Sequence, residues 1–228
     1  MRELATRADG IIAVIRFYMP RPMKSSIAAV SSAASILASS ALAQDRLPTI
    51  PPEKYTDEQK AAAAEFQTAR KTPVFGPFEP MMYSPRLMND ARAMGDYLRF
   101  DSAIGNVLSE LAILIAAREW TQDYEWHVHY PIALKAGIRL EVIDAIADGR
   151  RPDAMSEDET IVYDFLTELN RNRRVSDATF ERVERRFGRK GVVDLAGING
   201  YYTLLAMQLN VARYPVPPDG KRLPRFPR

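Results

Sequence analysis

The residues best suited to move a proton lie between positions 110 and 129 of the chain. Glu125 and His129 are four residues apart, so their side chains meet on one face if this stretch is helical. A carboxylate beside an imidazole in apolar surroundings tunes proton transfer, because the carboxylate favours the charged ring and burial opposes it. The apolar side chain of Trp126 borders this face, which indicates that it points inward. We therefore predict Glu125 and His129 as a proton-transfer pair.

Glu110 is a second candidate because it interrupts an apolar run at residues 104–117. The run is apolar almost all round a helix, which predicts burial of the carboxylate. A buried carboxylate is costly unless it is paired or protonated. Two interpretations remain open at this point. Glu110 either acts on His129, or it forms a structural ion pair with an arginine, for which Arg118 is one candidate.

The composition excludes several other kinds of chemistry. The chain has no cysteine, which excludes thiol nucleophiles, thiolate metal sites and disulfides. Its two histidines, His127 and His129, project to different faces of a helix, so we predict no metal site. For His127 a structural role is the favoured interpretation and a place in the substrate pocket is the alternative. A net charge of +2 is too small for a nucleic-acid binder, which needs a concentrated basic surface.

These residues must be positioned by helices, because no segment has the two-residue period of a strand. Ser156 followed by Glu159 is a capping box, Thr56 is a further N-cap candidate, and either Ser176 or Asp177 caps the helix after it. Four prolines predict a loop over residues 71–85. The sequence therefore predicts an all-α helical bundle. The predicted helices span residues 56–70, 85–98, 104–117, 121–136, 140–147, 156–170, 176–187 and 192–213.

The order of motifs within residues 76–138 carries a family resemblance. This stretch reads GPFEPMMYSPRLMNDARAMGDYLRFDSAIGNVLSELAILIAAREWTQDYEWHVHYPIALKAGI. Its glutamate helix, its "YEW" with a following histidine, and its "ALKAG" resemble the carboxymuconolactone decarboxylase family. The resemblance covers roughly residues 57–213 and implies the helical fold of alkylhydroperoxidase D-like proteins. In the peroxidase branch of that fold, two cysteines and a histidine follow the glutamate. Counted from Glu110, those positions hold Gln122, Glu125 and His129, so the chain resembles the cysteine-free branch.

That branch implies a lyase or isomerase that needs no cofactor. Its named reaction is the decarboxylation of 4-carboxymuconolactone, and the expected substrate is a small carboxylate-bearing lactone or a related unsaturated acid. The resemblance implies that one residue acts as general acid/base and delivers one proton. The other site residues would set the charge of that residue, bind the substrate carboxylate or shape the pocket. The expected catalytic residues are His129, Glu110 and Glu125, and the expected substrate-binding residues are Arg118, Tyr124, Trp126 and His127.

Two alternatives to this enzyme remain. The first is a non-catalytic helical binding protein in which the Glu/His network is only structural. The second is a cysteine-free peroxidase, which would need an added metal or haem. The resemblance also implies a homo-oligomer, a trimer or a hexamer.

The ends of the chain predict export and two flanking segments. Residues 23–43 contain a lysine, an apolar stretch and an Ala-Leu-Ala cleavage motif, which is the pattern of a secretory signal peptide. We expect translation to start at Met23, cleavage to follow Ala43 and the product to be periplasmic. The apolar stretch is too short for a stable membrane anchor. An extended segment at 44–55 then precedes the domain at 56–213, and a Pro-rich tail follows at 214–228.

Overall fold

The computed structural model describes residues 46–226, so the predicted leader at residues 1–43 lies outside the described part of the chain. The described residues form eight α-helices and no strand, which confirms the all-α class. None of these helices is both long and apolar enough to cross a bilayer. A 3₁₀ turn at Pro52–Lys54 precedes the helices, which are α1 Asp57–Arg70, α2 Phe78–Met81, α3 Pro85–Phe100, α4 Asn106–Glu119, α5 Asp123–Ala136, α6 Leu140–Ala147, α7 Glu157–Asn172 and α8 Asp177–Ala212.

Local signals set most helix ends. Capping boxes form at Thr56 and Ser156, each closed by the side chain three residues on. Helix α8 is interrupted at Gly188, where φ is 70° and ψ is 175°, so its two parts match the predicted break. The loop predicted at residues 71–85 was wrong over Phe78–Met81, which form the one-turn helix α2. Prolines are tolerated there because the first-turn N–H groups of a helix have no intrahelical partner.

Helix α4 is the centre of the bundle. Ten of its residues, 108–117, are buried, and it packs against α3, α5, α6, α7 and α8. A helix that is apolar all round has no favourable solvent face, so its burial on every side follows from the composition of the run. Because α4 is enclosed, its one buried carboxylate, that of Glu110, must find its partners inside the protein.

The described part of the Pro-rich tail, residues 214–226, packs on the helices. Leu223 is buried, and its backbone N–H donates to Oδ1 of Asp123 at 3.0 Å. Arg225 contacts both oxygens of Asp123, at 3.1 and 2.5 Å. The Lys221 ammonium lies 3.5 Å from the centre of the Tyr130 ring. The tail is therefore held across the first turn of α5 by a carboxylate at the start of that helix.

A close approach of α3 to α8 requires glycine at position 95. A Cβ at Gly95 would lie 2.2 Å from the hydroxyl of Tyr201, whereas a Cβ at Gly200 would meet no atom within 4 Å. We expect Gly95→Ala to lower the free energy of unfolding by about 1–3 kcal/mol through overpacking. Gly200→Ala is expected to raise it by up to about 1 kcal/mol, because alanine favours a helix. Urea unfolding of both variants checks this, and a shift of the same sign in both would contradict it.

Candidate active site

The structure brings together the three residues that could transfer a proton. Nδ1 of His129 lies 2.6 Å from Oε2 of Glu110, and Nε2 of the same ring lies 3.5 Å from Oε2 of Glu125. All three side chains are buried. The imidazole on α5 is therefore flanked by a carboxyl group at each nitrogen, one from α4 and one from its own helix.

The turn between α4 and α5 sets this arrangement. Thr121 has a positive φ of 47°, which reverses the chain after α4. Gln122 then caps α5, its side-chain oxygen accepting from the backbone N–H groups of Tyr124 at 2.6 Å and Glu125 at 3.1 Å. Glu125 thus falls in the first turn of α5 and His129 one turn later. Asn210 of α8 is the second partner of the Gln122 amide, at 3.1 Å, and holds the cap in place.

Glu110 is an ionised partner of His129. Burial raises its pKa, but the hydrogen bond and charge of His129 and the charge of Arg99 outweigh burial and leave the pKa below its usual value. A carboxylate can only accept hydrogen bonds, so Nδ1 of His129 carries the proton between them. The other ring nitrogen, Nε2, faces Glu125.

The arginine that pairs with Glu110 is Arg99 of α3, whose Nη2 lies 3.2 Å from Oε1. The expected candidate, Arg118, was wrong for this contact. Its guanidinium donates to the backbone oxygens of Ala147 at 3.2 Å and Pro224 at 2.8 Å, and it lies over the Phe226 ring. Arg118 belongs to the last turn of α4 and holds the tail, whereas Glu110 faces α3.

The pKa of Glu125 is shifted in the opposite direction to that of Glu110. Burial raises its pKa, and the nearby charges of His129 and Arg99 only partly oppose that effect. Its Oε1 has no hydrogen-bond partner among the described residues. A buried carboxyl group with this environment holds its proton to higher pH than a free glutamate. The site therefore pairs an ionised carboxylate with one that favours the acid form.

This difference predicts how Glu125→Gln changes stability with pH. Since the pKa of Glu125 is raised in the folded state, its contribution to stability is fully present below the unfolded pKa and is lost as pH rises through the folded pKa. Glutamine imitates the protonated acid and cannot ionise. We expect the variant to match the native protein near pH 4 and to be more stable above neutrality. Thermal unfolding across pH checks this, with the exposed Glu119→Gln as control; a difference that shrinks as pH rises would contradict it.

A cavity of about 60 Å³ adjoins His129 and Glu125. The Tyr202 ring stands edge-on to the imidazole, with centroids 5.3 Å apart, and Tyr201 packs against Tyr202 in the same way. Burial raises the pKa of both tyrosines, so their hydroxyls stay neutral. The cavity is lined by Arg70, Phe75, Pro77, Phe78, Arg99, Tyr124, Glu125, Val128, His129, Tyr201, Tyr202 and Leu205.

The substrate-binding residues expected from the sequence divide into two groups. Tyr124 lines the cavity. Trp126 lies in the core against Tyr130, and His127 accepts a hydrogen bond from the backbone N–H of Lys221 at 3.2 Å. Neither of these two lines the cavity, and neither does Arg118, because each belongs to a different face of its helix. No group of three or more His, Asp or Glu side chains in the described part of the chain is arranged to hold a metal ion.

Sequence reasoning missed the two arginines of the cavity, Arg70 and Arg99. They come from α1 and α3, and no spacing within either helix relates them to His129. Tyr201 and Tyr202 of α8 also line the cavity, and neither was predicted as a site residue. Both arginines lie in the last turn of their helix, which by itself does not relate them to α5.

Comparison with solved structures shows the fold. An uncharacterized peroxidase-related protein from Silicibacter sp. TM1040 is 16% identical, with a TM-score of 0.59 over 74% of this chain and 88% of that one. A second, described as an alkylhydroperoxidase AhpD core and uncharacterized peroxidase-related protein from Ralstonia eutropha JMP134, is 18% identical, with a TM-score of 0.60 over 73% and 88%. No protein-family model and no curated protein matches the sequence. The chain therefore has the alkylhydroperoxidase D-like fold that the family resemblance implied.

Proposed function

We propose that the protein is a cofactor-independent lyase or isomerase that transfers a proton on a small carboxylate-bearing lactone or unsaturated acid. The observation that carries this proposal is the His129 ring held between an ionised Glu110 and a Glu125 that favours its acid form, beside a cavity. General acid/base catalysis needs a titratable group whose proton is held in a defined place. Glu110 fulfils that need by fixing the proton on Nδ1.

In an isomerisation, Nε2 of His129 takes a proton from the carbon next to a carbonyl. The electron pair of the broken C–H bond moves into the conjugated carbonyl, and the same nitrogen returns the proton to a second carbon. In a decarboxylation, the electron pair instead comes from the bond to the departing CO₂. His129 then supplies the proton to the carbon, and Glu125 can return a proton to His129. Both sequences need only acid/base groups and a site that excludes water.

The absence of cysteine supports a reaction without thiols. At the two positions where the resemblance places the cysteines of the peroxidase branch, the chain has Gln122 and Glu125. Gln122 is the N-cap of α5 and Glu125 is a buried carboxyl group, so both positions serve the acid/base network.

An ultraviolet assay of the full chain with 4-carboxymuconolactone tests the proposal. We expect turnover by the native protein and a loss of about 10²-fold or more in His129→Ala, the typical contribution of a general acid/base. A panel of other lactones and unsaturated acids extends the test if that substrate is inert. No turnover with any of them by a folded protein would overturn the proposal.

The second candidate is a non-catalytic protein in which the network only fixes the packing of α4 against α5. The small volume of the cavity, about 60 Å³, favours it, because small-molecule sites usually enclose at least about 300 Å³. Assembly into trimers or hexamers and export to the periplasm stay predictions for either function. Size-exclusion chromatography with light scattering would measure the assembly.

A further inference from the structure

The cavity beside His129 is lined by two arginines and a single acidic residue. Its other polar lining residues are three tyrosines and the histidine itself. The acidic residue is Glu125, which favours its protonated form and then also donates. A ligand that satisfies such a wall must supply acceptors, and an oxyanion supplies the most in the least volume.

The counter-charges of the two arginines lie outside the cavity wall. Nη2 of Arg99 contacts Glu110 at 3.2 Å, and Nε of Arg70 lies 2.6 Å from Oδ1 of Asp96. The Arg70 contact is an ion pair whose angle is poor for a hydrogen bond, and Nε of Arg99 has no hydrogen-bond partner among the described residues. Neither Glu110 nor Asp96 lines the cavity. The two arginines therefore line the cavity, while the carboxylates that pair with them lie outside its lining.

The size of the cavity limits the part of a ligand that fits. About 60 Å³ is well below the roughly 300 Å³ or more that small-molecule sites usually enclose. A carboxylate group needs less space than a whole lactone, so a larger substrate places only its charged end here unless the wall moves.

We propose that this cavity binds one carboxylate of a small organic anion, with Arg70 and Arg99 as its anchoring donors. The proposal rests on the proposed function, and it transfers the anchoring role expected of Arg118 to two residues on α1 and α3. A planar guanidinium matches the two oxygens of a carboxylate and keeps its charge at all relevant pH values.

This site also restricts the reaction. Loss of CO₂ moves the negative charge away from the carboxylate that departs, so guanidinium groups on that carboxylate would stabilise the ground state more than the transition state. The anchored carboxylate is therefore one that the product keeps. The favoured substrate class is a monocarboxylate that undergoes proton transfer next to its anchored end, or a dicarboxylate that loses only its other carboxylate.

Acetate and propionate, with acetamide as the neutral isostere, are the probes that test the site. Calorimetric titration of the full chain at fixed ionic strength is expected to give saturable binding of the two carboxylates and none of acetamide. Arg70→Gln is expected to weaken that binding about tenfold or more. Arg118→Gln, which removes an arginine outside the cavity, is expected to leave it unchanged.

Arg70→Gln is preferred to a change at Arg99, because Arg99 also pairs with the buried Glu110 and its loss endangers folding. Circular dichroism confirms the fold of each variant before titration. Absence of carboxylate binding by the native protein, or equal weakening by Arg70→Gln and Arg118→Gln, would overturn the proposal. Carboxylate binding without turnover of any substrate would leave this site standing and remove only the proposed catalysis.

Discussion

Glu110→Gln is expected to lower turnover about 10²-fold while the protein remains folded. The amide keeps the shape of the side chain but removes the charge that holds the proton on Nδ1 of His129. An amide N–H can instead donate to that nitrogen, which places the exchangeable proton on Nε2 and blocks its use as a base. The measurement is kcat of the native protein and the variant on the substrate found by the ultraviolet assay, with circular dichroism to confirm folding.

The structural alternative makes a different prediction for the same variant. If the network only fixes helix packing, the free energy of unfolding falls by about 1–3 kcal/mol, because Arg99 and His129 lose a charged partner, and nothing else changes. Glu119→Gln is the matched control, since Glu119 is exposed on the same helix. Unchanged kcat in Glu110→Gln, measured where the variant is fully folded, would contradict the catalytic role.

Asp123→Ala is expected to release the C-terminal tail and to lower the free energy of unfolding by about 3 kcal/mol. Asp123 is only 7% exposed, and it accepts from the backbone N–H of Leu223 and from Arg225. Its removal leaves a buried N–H without a partner and removes an acidic residue from the first turn of α5. Urea unfolding measures the loss, and faster trypsin cleavage at Lys221 and Arg222 reports the release.

Asp57→Ala is the matched control for this prediction. Asp57 is also the first residue of a helix, but its side chain is fully exposed and pairs with Lys60, which is also exposed. We expect a loss below about 1 kcal/mol, because exposed ion pairs and helix-terminal charges contribute little. Equal losses in the two variants would mean that the tail adds nothing to stability.

The local features of the fold follow from short-range chemistry. Two helices begin at capping boxes, formed by Thr56 with Gln59 and by Ser156 with Glu159. In each box the side chain of one residue accepts a hydrogen bond from the backbone N–H of the other, three residues away. The break at Gly188 follows from its positive φ, which glycine adopts without strain. Helix α2 was not predicted because the loop sequence has no helical pattern. The helix is stabilised instead by the burial of Phe78 and Met81.

The sequence by itself determined the all-α class, the burial of α4 and the meeting of Glu125 with His129, since each depends on a period or a spacing within one helix. Only the tertiary structure decided that Arg99 pairs with Glu110, that Arg70 lines the cavity and that Arg118 holds the tail. These contacts join residues on different elements, and their partners depend on how the helices pack. Helical periodicity predicts which face of a helix is buried. It does not predict which charged side chain of another helix will pack against that face.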